Sequence, residues 1–425
     1  MSSAITFQHP VLHERDTTAR LASILEFDGR SVEMWYEVPR EYAHWFSTDR
    51  ADGFVVGFIL QAMQLRMDIV TLAPMSSKLW HNLTQFFIPM MAKAFPNLHA
   101  IQLFPSALIE TTTSATAVAG GFSGGIDSFA AIVDHFVNEQ SPNYRMSHFL
   151  FHNVGSHGDK DYQAARTMFR QRYETLREYP VLVDVPFVPV DTNIHEIVPT
   201  DFVKTYITLN ASVPLVLQNH FRKYFYASSY KNEDCGVNKT DIVGRFDPIA
   251  FHMLSTETLD CISTGGQLSR VEKTQLVAGY EMSRRFLNVC IDESSEGKNC
   301  STCIKCCRTL LTLDLFGLAG RYSEVFDLKR FAEVRRRYIK KEVQRAPKGG
   351  FEYEILELAR EICNEPWARR LRRKQARKET LRQIKSLAAR FRAETKRKIA
   401  IETIISISEK PSCPAGIWRR VSACD

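Results

Sequence analysis

A chain of 425 residues with 44% hydrophobic and 24% charged side chains has ordinary globular composition and room for two or three domains. Its most apolar short run, Phe54 to Leu60, is far below the ~20 residues a membrane helix needs, and the start MSSAITFQHPVLHERD has no apolar signal-peptide core, so a cytoplasmic protein without membrane contact is expected. Ten cysteines at this length exclude a disulfide scaffold, and the net charge of +7 is uneven: Lys329 to Ala400 carries 24 Lys plus Arg against 9 Asp plus Glu, or +15, which leaves −8 for the rest.

Residues 1–115 predict a small N-terminal α/β domain with no motif to which chemistry attaches. Ile24 to Phe27 and Val32 to Val38 flank Asp28-Gly29, a hairpin signal. A helix at Ala51 to Leu65, a strand at Ile69 to Leu72, a helix around Leu79 to Ala94 and a strand at Ile101 to Phe104 complete the layer. The polar, unpatterned Thr111-Thr112-Thr113-Ser114 is the expected boundary.

Val118 to Val133 reads VAGGFSGGIDSFAAIV, in which small apolar residues run into Ser123-Gly124-Gly125-Ile126-Asp127-Ser128 and a helical pattern follows at once. A strand, a Gly-rich turn and a helix N-terminus make a phosphate-binding arrangement. The glycines let the backbone approach an anion, unpaired amides and the helix dipole favour negative charge, and Ser123 and Ser128 add hydroxyl donors. The spelling is neither Walker A, which needs a Lys after its last Gly, nor the dinucleotide GxGxxG.

Strands follow at His148 to Asn153, Val181 to Val190 and Tyr224 to Ser228, with helices at Asp161 to about Tyr179 and Tyr206 to Phe221 between them. This alternation predicts a parallel sheet covered on both faces, with ligands beyond the strand C-termini. Ser123 to Ser128, Gly155 to Lys160, Asp191 to Asn193 and Ser228-Ser229-Tyr230 then share one rim. His152, His157 and Asp159 lack metal-ligand spacing and read as rim residues. Lys231 to Gly265 reads as loop with a short extended piece at Ile249 to Leu254. Ser269 opens a helix with Glu272 as its capping-box acid. Arg270 and Lys273 share one face of it, either as cations for a departing pyrophosphate or as a solvated pair.

Cys290-x9-Cys300-x2-Cys303-x2-Cys306 supplies four thiolates for tetrahedral zinc. Cys307 is left out, because neighbouring side chains diverge and Cys306 already keeps the CxxCxxC spacing. A closed four-cysteine site has no open coordination position and is expected to be structural, worth an apparent ~10 kcal/mol or more to this loop.

The SGGIDS turn after a strand resembles the pyrophosphate loop of the N-type ATP pyrophosphatases. With the cysteine spacing near the end of the same region, residues 116–320 resemble 7-cyano-7-deazaguanine synthase. The resemblance implies an α/β fold with a doubly wound parallel sheet of the PP-loop type over residues 116–328, ATP contacts at Ser123, Gly124, Gly125, Ile126, Asp127 and Ser128, and structural zinc on Cys290, Cys300, Cys303 and Cys306. It further implies adenylation of a small-molecule carboxylate on a deazapurine, with amide or nitrile formation to follow. Asp127, Arg270 and Lys273 are the expected catalytic residues, Asp127 acting through Mg²⁺ or by fixing the loop. The family's Ser-Gly-Tyr-Pro-Asp-Cys-Arg type of substrate segment is absent, and Phe246-Asp247-Pro248-Ile249-Ala250-Phe251 takes its place. In layout the chain is similar to longer relatives associated with bacterial anti-phage gene clusters, including the Qat type, which implies protein partners in a defence complex. Two other functions fit the same residues: conjugation of an activated acid to a protein amine, and a scaffold that senses a nucleotide without turnover.

Residues 329–425 are expected to form a basic helical extension. From Phe351 the apolar spacing is helical, and after Pro366 a partial stripe, Leu371, Leu381, Ile384, Leu387 and Phe391, backs a face that is nearly all cation. Such a surface suits nucleic acid through its phosphates, an acidic protein partner, or plain solvation. It reads as a docking appendage outside the active site.

Overall fold

In the computed structural model, the described residues are 4–158, 161–198, 201–236, 242–362, 365–373, 376–377, 380–381 and 384–386. Thirteen strands are formed among them: β1 Ala4–Phe7, β2 Val11–Glu14, β3 Thr18–Phe27, β4 Arg30–Pro39, β5 Asp68–Thr71, β6 Met75–Ser76 and β7 Leu103–Pro105, then β8 Leu108–Ile109, β9 Ala117–Gly121, β10 His148–Asn153, β11 Phe187–Thr192, β12 Phe221–Ala227 and β13 Asp260–Thr264. Asp28 and Gly29 both take positive φ, so β3 and β4 pair over their full length across a two-residue turn, as the Asp-Gly signal predicts.

Eleven strands form one sheet in the order β13-β12-β9-β10-β11-β4-β3-β1-β5-β7, with β2 beside β3. β13, β12, β9, β10 and β11 are mutually parallel, as are β1, β5 and β7, while β4 is antiparallel to both β11 and β3. The sheet is therefore mixed and mostly parallel, rather than parallel throughout. The alternation of short strands and helices correctly marks the parallel part, whereas the long β3-β4 hairpin inserts antiparallel pairs at its flank.

Thr111 to Ser114 is a connection within one core. Asp191 and Thr192 of β11 pair with Glu37 and Tyr36 of β4, and the helix Asp52–Leu65 packs on the helix Phe202–Val216. Gln218 Nε2 donates to the buried Asp52 carboxylate at 3.2 Å, and the apolar cluster takes in Phe54, Phe58, Ile207, Val213 and Phe246 together. The described residues from 4 to 115 thus share the sheet and core of those that follow.

Three further expectations are corrected. Val181 and Leu182 belong to a helical turn, Glu178–Leu182, and lie exposed, so β11 begins only at Phe187, after a positive-φ Asp184 and Pro186. Ile249 to Leu254 is helical, with Pro248 in the first turn of Asp247–Ala250, where a missing N–H costs nothing; the real strand is β13. Chain contacts define one unit at Met1–Leu358 and another at Ala359–Asp425. The helices Leu328–Lys341 and Phe351–Ile362 start inside the first unit, with Phe331, Tyr338, Ile339 and Val343 buried in it, so the basic extension does not begin at 329. Leu387, Phe391 and the end of the chain lie outside the described residues. No helix among the described residues is long and apolar enough to cross a membrane.

Candidate functional site

β9 delivers its chain directly into the Gly-rich turn, and the helix Ile126–Ile132 starts from Gly125. Gly124 takes φ +75°, and a side chain there would meet Leu176 Cδ2 at 2.6 Å, so the turn needs glycine on both backbone and packing grounds. Asn288 donates its backbone N–H to Gly124 O at 2.7 Å, which pins the loop from outside. Ser128 Oγ is buried and donates to Gly125 O at 3.0 Å, while Ser123 is exposed and donates to Ser128 Oγ at 3.3 Å. Among the described residues, no acceptor occupies the amides of Ser123 to Ser128, the orphan donors of a helix start. Phe122 and Phe129 lock the turn onto Tyr179, Phe149 and Phe187 by ring contacts.

Arg270 and Lys273 both face this loop. Arg270 Nη2 lies 2.6 Å from Asp127 Oδ2, and Lys273 Nζ lies 3.5 Å from Asp127 Oδ1 and donates to Ser228 O at 2.6 Å. They are not a solvated pair: Lys273 is only 1% exposed, and burial lowers its pKa against the opposing pull of Asp127. The capping box is complete, Ser269 Oγ accepting from Glu272 N and Glu272 from Ser269 N. The N–H groups of Arg270 and Val271 go to Glu354, at 2.8 and 3.4 Å. Phe351 stacks on Tyr230 and carries the guanidinium groups of Arg270 and Arg308 on its ring, at 4.7 and 4.6 Å from the centroid. Glu352 in turn accepts from Arg308 and from Tyr338 Oη. Lys305 sits within electrostatic reach of Arg270, Arg308 and Asp127. The result gathers Arg270, Lys273, Lys305 and Arg308 beside Asp127, Glu352 and Glu354, a set that together with the open amides of the turn can hold a polyphosphate.

Asp247 is fully buried, and neither carboxylate oxygen has a hydrogen-bond partner; the Ser229 amide is near but falls short of bonding geometry. Burial drives its pKa well above the ordinary carboxylate range, Lys273 opposing and Asp127 adding to the rise.

The Sγ atoms of Cys290, Cys300, Cys303 and Cys306 all lie within 4.8 Å of one another, with Cys290 and Cys303 3.9 Å apart. A tetrahedron with zinc–sulfur bonds of ~2.3 Å has edges of roughly 3.8 Å, so four thiolates in this place fit such an ion. Backbone N–H groups already point at two of the sulfurs: Asp292 and Cys300 at Cys290, Thr302 and Cys303 at Cys300, at 3.2 to 3.4 Å. Cys307 stands apart and donates to Thr302 O at 3.3 Å. Asn299 ties the loop by accepting from Val289 N and donating to Leu287 O and Val325 O.

Along the rim, His152, His157 and His195 are buried and pushed toward the neutral form by burial. Among the described residues, metal-ligating groups converge only at the four cysteines. Asp159 and Lys160 lie outside the described residues. Spacing alone gave no sign of Asn288, Lys305, Arg308, Phe351, Glu352 or Glu354, because each joins the site through chain folding rather than a local motif. Comparison of the chain with protein-family models, with curated proteins and with solved structures finds no match.

Proposed function

We propose that this chain is an ATP-dependent ligase or synthase of the 7-cyano-7-deazaguanine synthase type, which forms AMP and pyrophosphate while activating a carboxylate on a 7-deazapurine for amide or nitrile formation. The observation that carries this reading is the opposition of the Ser123 to Ser128 amides to Arg270 and Lys273 across Asp127. In it, the amides and Ser123 Oγ hold the phosphates, and the two cations neutralise charge as pyrophosphate departs. The acyl carbon, made electrophilic by the adenylate, is then open to ammonia or an amine, with no side-chain nucleophile required. Asp127 holds Arg270 and Lys273 in place, which supports its loop-fixing role; Mg²⁺ would add charge neutralisation on the phosphates. Zinc on Cys290, Cys300, Cys303 and Cys306 would cross-link the loop that carries Asn288. A place in an anti-phage assembly, with protein partners, belongs to the same proposal. Incubation with labelled ATP and deazapurine acids is expected to yield AMP. ADP as sole product, unaffected by Ser128→Ala, would overturn it.

A further inference from the structure

We propose that the outward face of the helix Leu328–Lys341 docks double-stranded DNA, holding its two phosphate backbones without reading its bases. The inference stands apart from the proposed ATP chemistry and uses none of its residues.

Phe331, Tyr338 and Ile339 are buried in the core and fix the helix in place, while Lys329, Arg330, Arg336, Arg337, Lys340 and Lys341 are all exposed on its other side. Helical spacing sorts these cations into two rows, Lys329, Arg336 and Lys340 in one and Arg330, Arg337 and Lys341 in the other. The rows lie about 100° apart around the axis, and each is roughly 16 Å long. None of these cations has an ion-pair partner among the described residues, whereas Arg335, beside the buried face, pairs with Asp314 at 2.7 Å. The nearby acids do not serve them. Asp327 accepts the N–H groups of Lys329 and Arg330, and Glu333, between the rows, forms no ion pair among the described residues. Arg336 with Lys340, and Arg337 with Lys341, are like charges one helical turn apart, an arrangement that destabilises a helix until a polyanion answers it.

The make-up of the face selects the polyanion. Its exposed residues include no apolar side chain beyond Ala332, whereas a protein interface or a bilayer surface calls for an apolar or aromatic centre. Without aromatic rings it also gives single strands no stacking platform. A helix with a row of cations on each flank matches the ~12 Å major groove of B-form DNA, one row toward each backbone, and the deep, narrow major groove of A-form RNA shuts it out. Glu333 on the line between the rows has no donor for base edges, so binding follows the phosphates rather than the sequence.

The test uses the full-length protein and a labelled DNA duplex of about 20 base pairs, followed by fluorescence anisotropy over a salt series. Engagement of both rows is expected to give log K against log salt a slope of about −5 or steeper, and an RNA duplex of the same length is expected to bind at least about 10-fold more weakly. Lys329→Gln, Arg336→Gln and Lys340→Gln together are expected to flatten the slope by about 3 and to lower affinity about 100-fold at ~0.1 M salt, and so are Arg330→Gln, Arg337→Gln and Lys341→Gln together. Arg170→Gln, Arg177→Gln and Arg285→Gln together, at exposed cations elsewhere, are expected to change neither. No duplex binding by the wild type, equal affinity for the RNA duplex, or equal affinity for polyglutamate overturns the proposal, and these arms stand even if a variant does not fold. An unchanged slope in either folded row variant, or an equal loss in the Arg170, Arg177 and Arg285 variant, also overturns it.

Discussion

Glu354 accepts the backbone N–H of Arg270 at 2.8 Å, so a helix from the basic C-terminal region holds the first turn of the helix that presents both cations to the Gly-rich loop. A carboxylate on N-terminal amides satisfies orphan donors and complements the helix dipole. Glu354→Ala is expected to cost about 1 to 2 kcal/mol of stability and to weaken ATP binding, read by urea titration and calorimetry. Truncation after Arg330 removes Phe331, Tyr338, Ile339, Val343, Ile355 and Leu356 from the core, and the product is expected to aggregate or lose its cooperative transition. A chain ending at Ile362 is expected to keep both fold and ATP binding. A soluble, cooperative 1–330 fragment would show that this region is dispensable.

Asp127 pairs with two cations, one of them almost wholly buried. Asp127→Asn removes the carboxylate that bridges Arg270 and Lys273, leaving Glu354 as the acid within electrostatic reach of both. ATP turnover is expected to fall by at least about 100-fold while bound metal is unchanged, because the electrostatic wall is disordered and the cysteine loop is not. Labelled-ATP assays beside elemental analysis check this, and retention of more than a tenth of the activity would refute it.

The cysteines divide four to one. Cys303→Ser is expected to abolish bound zinc and lower the melting temperature sharply, whereas Cys307→Ser keeps one zinc per chain, since its thiol is committed to Thr302 O. Elemental analysis of metal-replete protein decides it. Absence of zinc from the wild type, or a visible charge-transfer band from iron, would reject the assignment.

Acid is expected to destabilise the chain through its buried histidines. His152 and His195 are held down to about 4 and His157 to about 3, in each case first by burial, against about 6.5 when unfolded. The unfolded chain therefore binds more protons than the folded one between these values, and stability rises with pH across that window. The contribution is whole above about pH 6.5 and is lost as pH falls toward 4, at about 2 kcal/mol for each histidine by pH 5. Urea midpoints at pH 7 and pH 5 test the sign. A His195→Gln variant, which removes two unpartnered ring nitrogens, should show a shallower dependence.

Local signals in the chain placed the turn, the capping box and the cysteine cluster, because each is written in a few adjacent residues: Asp28-Gly29, Ser269 with Glu272, and Cys300 to Cys306. The strand order around β4 was not legible. Whether a hairpin joins the flank of a later sheet depends on pairing between Tyr36 and Thr192, far apart in sequence, and no periodicity encodes it. β13 was missed because Asp260 and two polar residues, Ser263 and Thr264, break its apolar run, although Cys261 within it is fully buried. Charge counting misplaced the start of the extension. The cations of Leu328–Lys341 lie on one face of a helix whose other face, through Phe331, Tyr338 and Ile339, belongs to the core.

Asn288 gives the cysteine loop a reach beyond its own stability. Its backbone N–H holds Gly124, its side chain holds Gly297, and Arg172 grips the carbonyl of Cys290 from the helix Tyr162–Leu176, whose Leu176 also bounds the space at Gly124. The Gly-rich turn is thus tied through Asn288 to the cysteine loop, and loss of metal from the four thiolates is expected to loosen it. Under the proposed function, a chain left without metal is expected to lose affinity for ATP, which would couple nucleotide binding to metal supply.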